Sequence, residues 1–128
     1  MDSVLGQTTR RPDVTFYRSG RIDITAYVAR TLDLHEGDVI DILVDHDDGE
    51  YMLFVRQRAA DTPGRFEAQC CHTNKRGNNF RCHSKRLCNV ILKASNCESV
   101  ARLPIGTALD LPIYGHAVML ITRNPLPR

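Results

Sequence analysis

Cysteine and histidine crowd one stretch of the chain: Cys70, Cys71, His72, Cys82, His83 and Cys88. Thiolates and imidazoles are zinc ligands, and a structural zinc site closes tetrahedrally on four of them. Two strands joined by a turn over residues 73–79 would bring Cys71 or His72 near Cys82, so the four-ligand set is Cys71, His72, Cys82 and Cys88. The spacing speaks against it. No C-x2-C pair is present. Neighbours on a strand face opposite sides, so Cys82 and His83 do not easily share a metal. Free buried thiols are the expected state, since cysteine packs as a small hydrophobe, with zinc as the alternative.

A second concentration is acidic: Asp45, Asp47, Asp48 and Glu50. A calcium loop needs a longer ladder of oxygen ligands ending in a bidentate acid, so a solvated turn is expected. Cys–His catalysis needs a thiol beside an oriented base, and nothing in the spacing fixes that. Phosphate-loop, G-x-S-x-G and H-E-x-x-H patterns are absent. The chain is read as non-enzymatic, with no catalytic residue and no cofactor.

Short elements must position these groups. Asp13–Ser19 reads as a strand ended by Gly20. Arg21–Ile24 alternates polar and apolar, as a half-buried strand does. Thr25 suits a helix start, and Val28 and Leu32 share one helical face. His35–Asp38 is a turn with Gly37 free to take positive φ. Val39–Val44 alternates again, Asp45–Glu50 turns, and Tyr51–Arg56 returns. Gln57–Gly64 connects to an extra strand, Arg65–His72. Asn74–Asn79 is a polar turn. Phe80–Ser84 and Leu87–Leu92 read as strands, Ser95–Arg102 as a helical turn stopped by Pro104. Thr107–Ile113 and Ala117–Thr122 form a closing hairpin around Tyr114–Gly115.

Gly20, Arg21, Ile22, Ile24, Val28, Arg30, Leu32, Leu34, Gly37, Asp38, Ile40 and Ile42 keep a fixed spacing. In that register the run resembles the AbrB/SpoVT-type swapped-hairpin DNA-binding domain, with Thr25 where that family carries a proline. The resemblance implies a mainly β fold in which hairpins exchange into one barrel, with short helices. It also implies DNA contacts by basic residues of the strand, loop and helix. Carried over by position, these are Arg21 and Arg30, with Arg86 and Arg102 as their echoes in the second half. Arg18 and Lys85 sit beside them. Lys75 and Arg76 lie in a basic loop able to reach a groove or phosphate. Guanidinium groups grip phosphates bidentately and read guanine edges. The competing reading pairs Arg21 and Arg30 with Asp23, Asp33 or Asp38.

The second half echoes the first in order. Phe16–Ile22 answers Phe80–Leu87, Val28-Ala29-Arg30 answers Val100-Ala101-Arg102, and Leu34-x-x-Gly37 answers Leu103-x-x-Gly106. Ile40-Asp41-Ile42 answers Leu109-Asp110-Leu111, and Met52-Leu53 answers Met119-Leu120. A duplication follows: repeat one 13–56, connector 57–79, repeat two 80–123. One such hairpin cannot bury its apolar face alone. Two in one chain can close the barrel as a pseudo-dimer, predicting a single intertwined domain over residues 1–128.

A net charge of +2 is too weak to demand an anionic partner, but its distribution is uneven. Residues 31–67 hold ten acids against three arginines, whereas 68–97 hold six basic residues and no acid. Arg10 and Arg11 give the N-terminus a basic character. No apolar run approaches the length of a membrane span, no secretion signal is visible, and five cysteines fit reduced thiols in a cytoplasm. The expected function is a DNA-binding transcription regulator that binds duplex DNA and is open to further homodimerisation. The alternative is a non-catalytic protein-interaction or structural module on the same scaffold. A zinc-stabilised binding protein is a third option.

Overall fold

The computed structural model describes residues 13–56, 67–73, 78–123 and 125–126. Arg10, Arg11, Lys75 and Arg76 lie outside these, as does most of the connector. Eight strands and two helices follow in order: β1 (Asp13–Tyr17), β2 (Arg21–Ile24), α1 (Ala26–Leu32), β3 (Val39–Asp45), β4 (Glu50–Arg56), β5 (Cys71–His72), β6 (Phe80–His83), α2 (Lys85–Ala94), β7 (Val100–Leu111) and β8 (Gly115–Leu120).

All strand pairings are antiparallel, in one curled sheet of order β3-β4-β8-β7-β1-β2-β6-β5. β7 joins its two halves: Val100–Pro104 pairs with β1 and Ile105–Leu111 with β8, with a register shift between Ile105 and Ala108. The outer edges also meet. The Gly37 N–H donates to the Cys70 carbonyl at 2.8 Å, Cys70 donates to Asp38 at 2.7 Å, and Ile40 donates to Ala68 at 3.0 Å.

Strand alternation builds the core. Val14, Phe16, Ile22, Ile24, Phe80, Cys82, Ala101 and Leu103 face inward, and the residues between them face out. Each helix closes the core with one stripe. Val28, Ala29 and Leu32 are buried in α1; Cys88, Ile91 and Leu92 are buried in α2.

The first half follows the sequence expectations closely. The second half does not. Leu87–Leu92 was expected as a strand and lies inside α2. Its aliphatic Val90-Ile91-Leu92 run suits a strand, but Cys88, Ile91 and Leu92 repeat at helical spacing. The buried Ser84 hydroxyl also accepts the Leu87 N–H at 3.2 Å and so caps the helix. Ser95–Arg102 was expected as a helical turn. Instead α2 ends at Ser95, Asn96 takes φ 57°, and β7 begins at Val100. The echoes therefore fall on unlike elements: Val28-Ala29-Arg30 is helix, whereas Val100-Ala101-Arg102 is strand. Met52 and Met119 do match, and they face each other across β4 and β8.

Candidate nucleic-acid interface

The turn between β1 and β2 rests on the start of α2. Gly20 has φ 103°, and a Cβ there would lie 2.6 Å from His83 Nε2 and 3.0 Å from Lys85 Cγ, so only glycine permits the approach. The Ser84 N–H donates to the Gly20 carbonyl at 2.8 Å. His83 Nε2 is 2.9 Å from the Ser19 carbonyl. Arg18 and Lys85, distant in sequence, thereby flank one junction.

Cross-strand register extends this patch. Arg21 pairs with His83 and Asp23 with Arg81, all on the outer face of β2 and β6. Arg21 grips Asp23 through Nη2 at 2.7 Å and Nε at 3.1 Å, and Arg81 Nε bonds the other carboxylate oxygen at 2.8 Å. The Arg21 guanidinium lies over the Tyr17 ring, 4.7 Å from its centroid. Partial burial opposes ionisation of Asp23. The hydrogen bonds and charges of Arg21 and Arg81 outweigh it and hold the carboxyl below its usual range. The Asp23 hydrogen bond in turn raises Arg21. With the Arg86–Glu67 pair beside them, Arg18, Arg21, Arg81 and Lys85 make five cations against two carboxylates, Asp23 and Glu67. Arg18 and Lys85 are exposed and carry no ion pair among the described residues.

The other nominated cations divide differently. Arg86 is bound to Glu67 by Nη2 at 2.7 Å and Nε at 3.0 Å, and Glu67 also accepts the Ser84 hydroxyl at 2.8 Å. Arg102 is partly buried. Its Nε and Nη2 both meet Asp13 Oδ2 at 2.9 Å, and that carboxylate is 4% exposed. Arg30 is exposed on the last turn of α1, where a cation suits the helix dipole. Arg81 was not nominated from sequence. The alternation of Phe80–His83 places it outward, but only the pairing of β6 with β2 brings it to Asp23.

The four-residue zinc set is not assembled. Cys71 and His72 are both exposed on the edge strand β5 but face opposite ways: Cys71 pairs with Arg81, and His72 pairs with Phe80 and stacks on it with centroids 4.2 Å apart. Cys82 and Cys88 are buried, and among the described residues none of the four joins a cluster of three or more ligand atoms. A hydrogen bond with Cys70 and burial push the Cys82 thiol far up, and burial pushes Cys88 up to about 11. Burial thus favours the protonated form of both core thiols. Among the described residues, Asp45, Asp48 and Glu50 bring carboxylate oxygens within 4.8 Å of one another at the exposed β3–β4 turn.

Comparison with family models, characterised proteins and solved structures finds no match for this chain. No helix among the described residues is long and apolar enough to cross a membrane.

Proposed function

We propose that the chain is a duplicated, AbrB-like swapped-hairpin pseudo-dimer that regulates transcription by binding duplex DNA through the outer face of β2 and β6. The strand order supports the first part. β3-β4 meets β8-β7, and β1-β2 meets β6-β5, so each half-sheet reads the same outward from its middle. The 37–40 to 68–70 contact is the counterpart of the β1–β7 pairing. Val28 and Leu32 in α1 match Cys88 and Leu92 in α2. In this reading the second copy begins with β5, inside the stretch 57–79 taken from sequence as a connector.

The observation that carries the DNA reading is the cation excess at the β1–β2 turn, with Arg18 and Lys85 left unpaired among the described residues. Phosphate neutralisation by such groups releases counterions and makes affinity fall with salt. Fluorescence anisotropy of a labelled mixed-sequence duplex, read at two salt concentrations, tests it. Expected are binding that weakens steeply with salt, a lower affinity for Arg18→Ala/Lys85→Ala, and a reduced salt slope in that variant. Binding that ignores salt or the double substitution would overturn the reading.

The alternative, a protein-interaction module, is favoured by the β7–β8 turn. Ile113 there is 82% exposed and Tyr114 42% exposed. On that reading the duplex does not bind and the turn contacts a protein.

A further inference from the structure

The four-stranded half-sheet β3-β4-β8-β7 is apolar on both faces. Ile40, Leu53 and Val118 point into the core. Alternation sends the residues between them outward in two cross-strand rows, Leu43–Met52–Met119 and Asp41–Phe54–Ala117–Leu109. Antiparallel sheets that face water on one side alternate apolar with polar; here the outer positions are mostly apolar. Phe54 and Ala117 are buried without joining the core cluster. Tyr114 meets Phe54 edge-on, ring centroids 5.1 Å apart. Leu43, Met52, Met119 and Leu109 remain half-buried.

The charges along this face identify what fits it. The outer side of β4 reads Glu50, Met52, Phe54, Arg56: acid, two apolar, base. Asp45 and Asp48 strengthen the acidic end. Arg56 is exposed, and neither it nor Glu50 forms an ion pair among the described residues. The strip is complementary to its own reverse.

We propose that two copies of the chain associate through this face, about a two-fold axis that runs between the two stacked sheets over the middle of β4. Antiparallel stacking lays Glu50 of one copy over Arg56 of the second and, by the same rotation, Arg56 over Glu50. A closed two-fold interface requires this reciprocity. Met52 of each copy then lies over the Phe54–Tyr114 pair of the second in the dry centre. The seven residues from Glu50 to Arg56 span about 20 Å, and two such sheets pack about 10 Å apart. Four strands at about 4.8 Å spacing give a patch on the order of 400 Å² per copy. That is about half of a standard interface, so the dimer is weak and depends on concentration. It uses none of the residues of the cationic patch.

Sedimentation velocity on the full chain, over the micromolar range, reads the monomer–dimer equilibrium, with circular dichroism melts to show that each variant folds. The native chain shifts from monomer to dimer with concentration. Glu50→Arg alone, or Arg56→Glu alone, sets like charges face to face and weakens the dimer about tenfold or more. The double substitution Glu50→Arg/Arg56→Glu restores the complement and recovers the dimer to within about threefold of native. Met119→Lys removes the dimer while the melt is retained. A native chain that stays monomeric throughout overturns the proposal. A dimer that the single substitutions leave intact, or that the double substitution fails to rescue, does so as well.

Discussion

Asn79 caps a helix that begins 53 residues before it: its side-chain oxygen accepts the Ala26 N–H at 2.8 Å. Thr25, at the N-cap position of α1, makes no cap bond and instead donates its hydroxyl to the Asp13 carbonyl at 3.1 Å. The first helix therefore takes its cap from the second half of the chain, while α2 is capped by its own Ser84 and abutted by the Gly20 turn of the first half. Each half completes the other.

Asn79→Ala removes that cap and lowers stability by about 1 kcal/mol, the usual worth of an N-cap. Urea unfolding followed by circular dichroism reads the shift in midpoint. Asn79→Asp keeps an acceptor and retains most of the stability. Equal losses in the two variants would remove the capping role.

Asp23 links stability to pH with a definite sign. Its carboxyl is held below the usual range in the folded state and returns to about 3.9 when unfolded. The stabilisation is thus fully present above about pH 4 and fades as the pH falls through the lower folded value. Asp23→Asn is less stable than native at neutral pH, and the gap narrows in acid. The same substitution frees Arg21 and Arg81, so duplex affinity rises in the anisotropy measurement. A fall in affinity would mean that Asp23 positions the arginines instead of masking them.

The ion pair of Arg102 with Asp13 ties β7 to β1. Arg102→Ala leaves a nearly buried carboxylate without its cation and costs about 3–5 kcal/mol. At a temperature where the variant is folded, its duplex affinity equals the native value. A selective loss of DNA binding with unchanged stability would return Arg102 to the interface.

Thiol chemistry separates the five cysteines. Cys71 is exposed, although slight burial and the nearby Glu36 raise its thiol. Cys70, Cys82 and Cys88 are buried, and Cys97 is partly buried. At mildly alkaline pH an aromatic disulfide reagent titrates Cys71 first, more slowly than a free peptide thiol, and the buried thiols respond only after unfolding. Cys71→Ser removes the early phase. Rapid reaction at Cys82 or Cys88 would contradict the packing.

Sequence by itself determined what local chemistry controls. Strand alternation and the turn glycines set the first half from Asp13 to Arg56, and Val28 and Leu32 mark the buried stripe of α1. These signals lie within a few residues of each other, so no distant partner is needed. Tertiary structure decided the rest. Val90-Ile91-Leu92 has strand-like composition, but the residues around it, Cys88, Ile91 and Leu92, form one helical stripe that the sheet can cover. The fates of Arg18, Arg21, Arg86 and Arg102 were also undecided, because a basic side chain looks the same whether it is solvated or paired. Only long-range strand pairing could tell them apart: β1 with β7 brings Asp13 to Arg102, and β2 with β6 brings Arg81 to Asp23. The cysteine and histidine cluster dissolved for the same reason, since the sheet puts neighbouring residues on opposite faces.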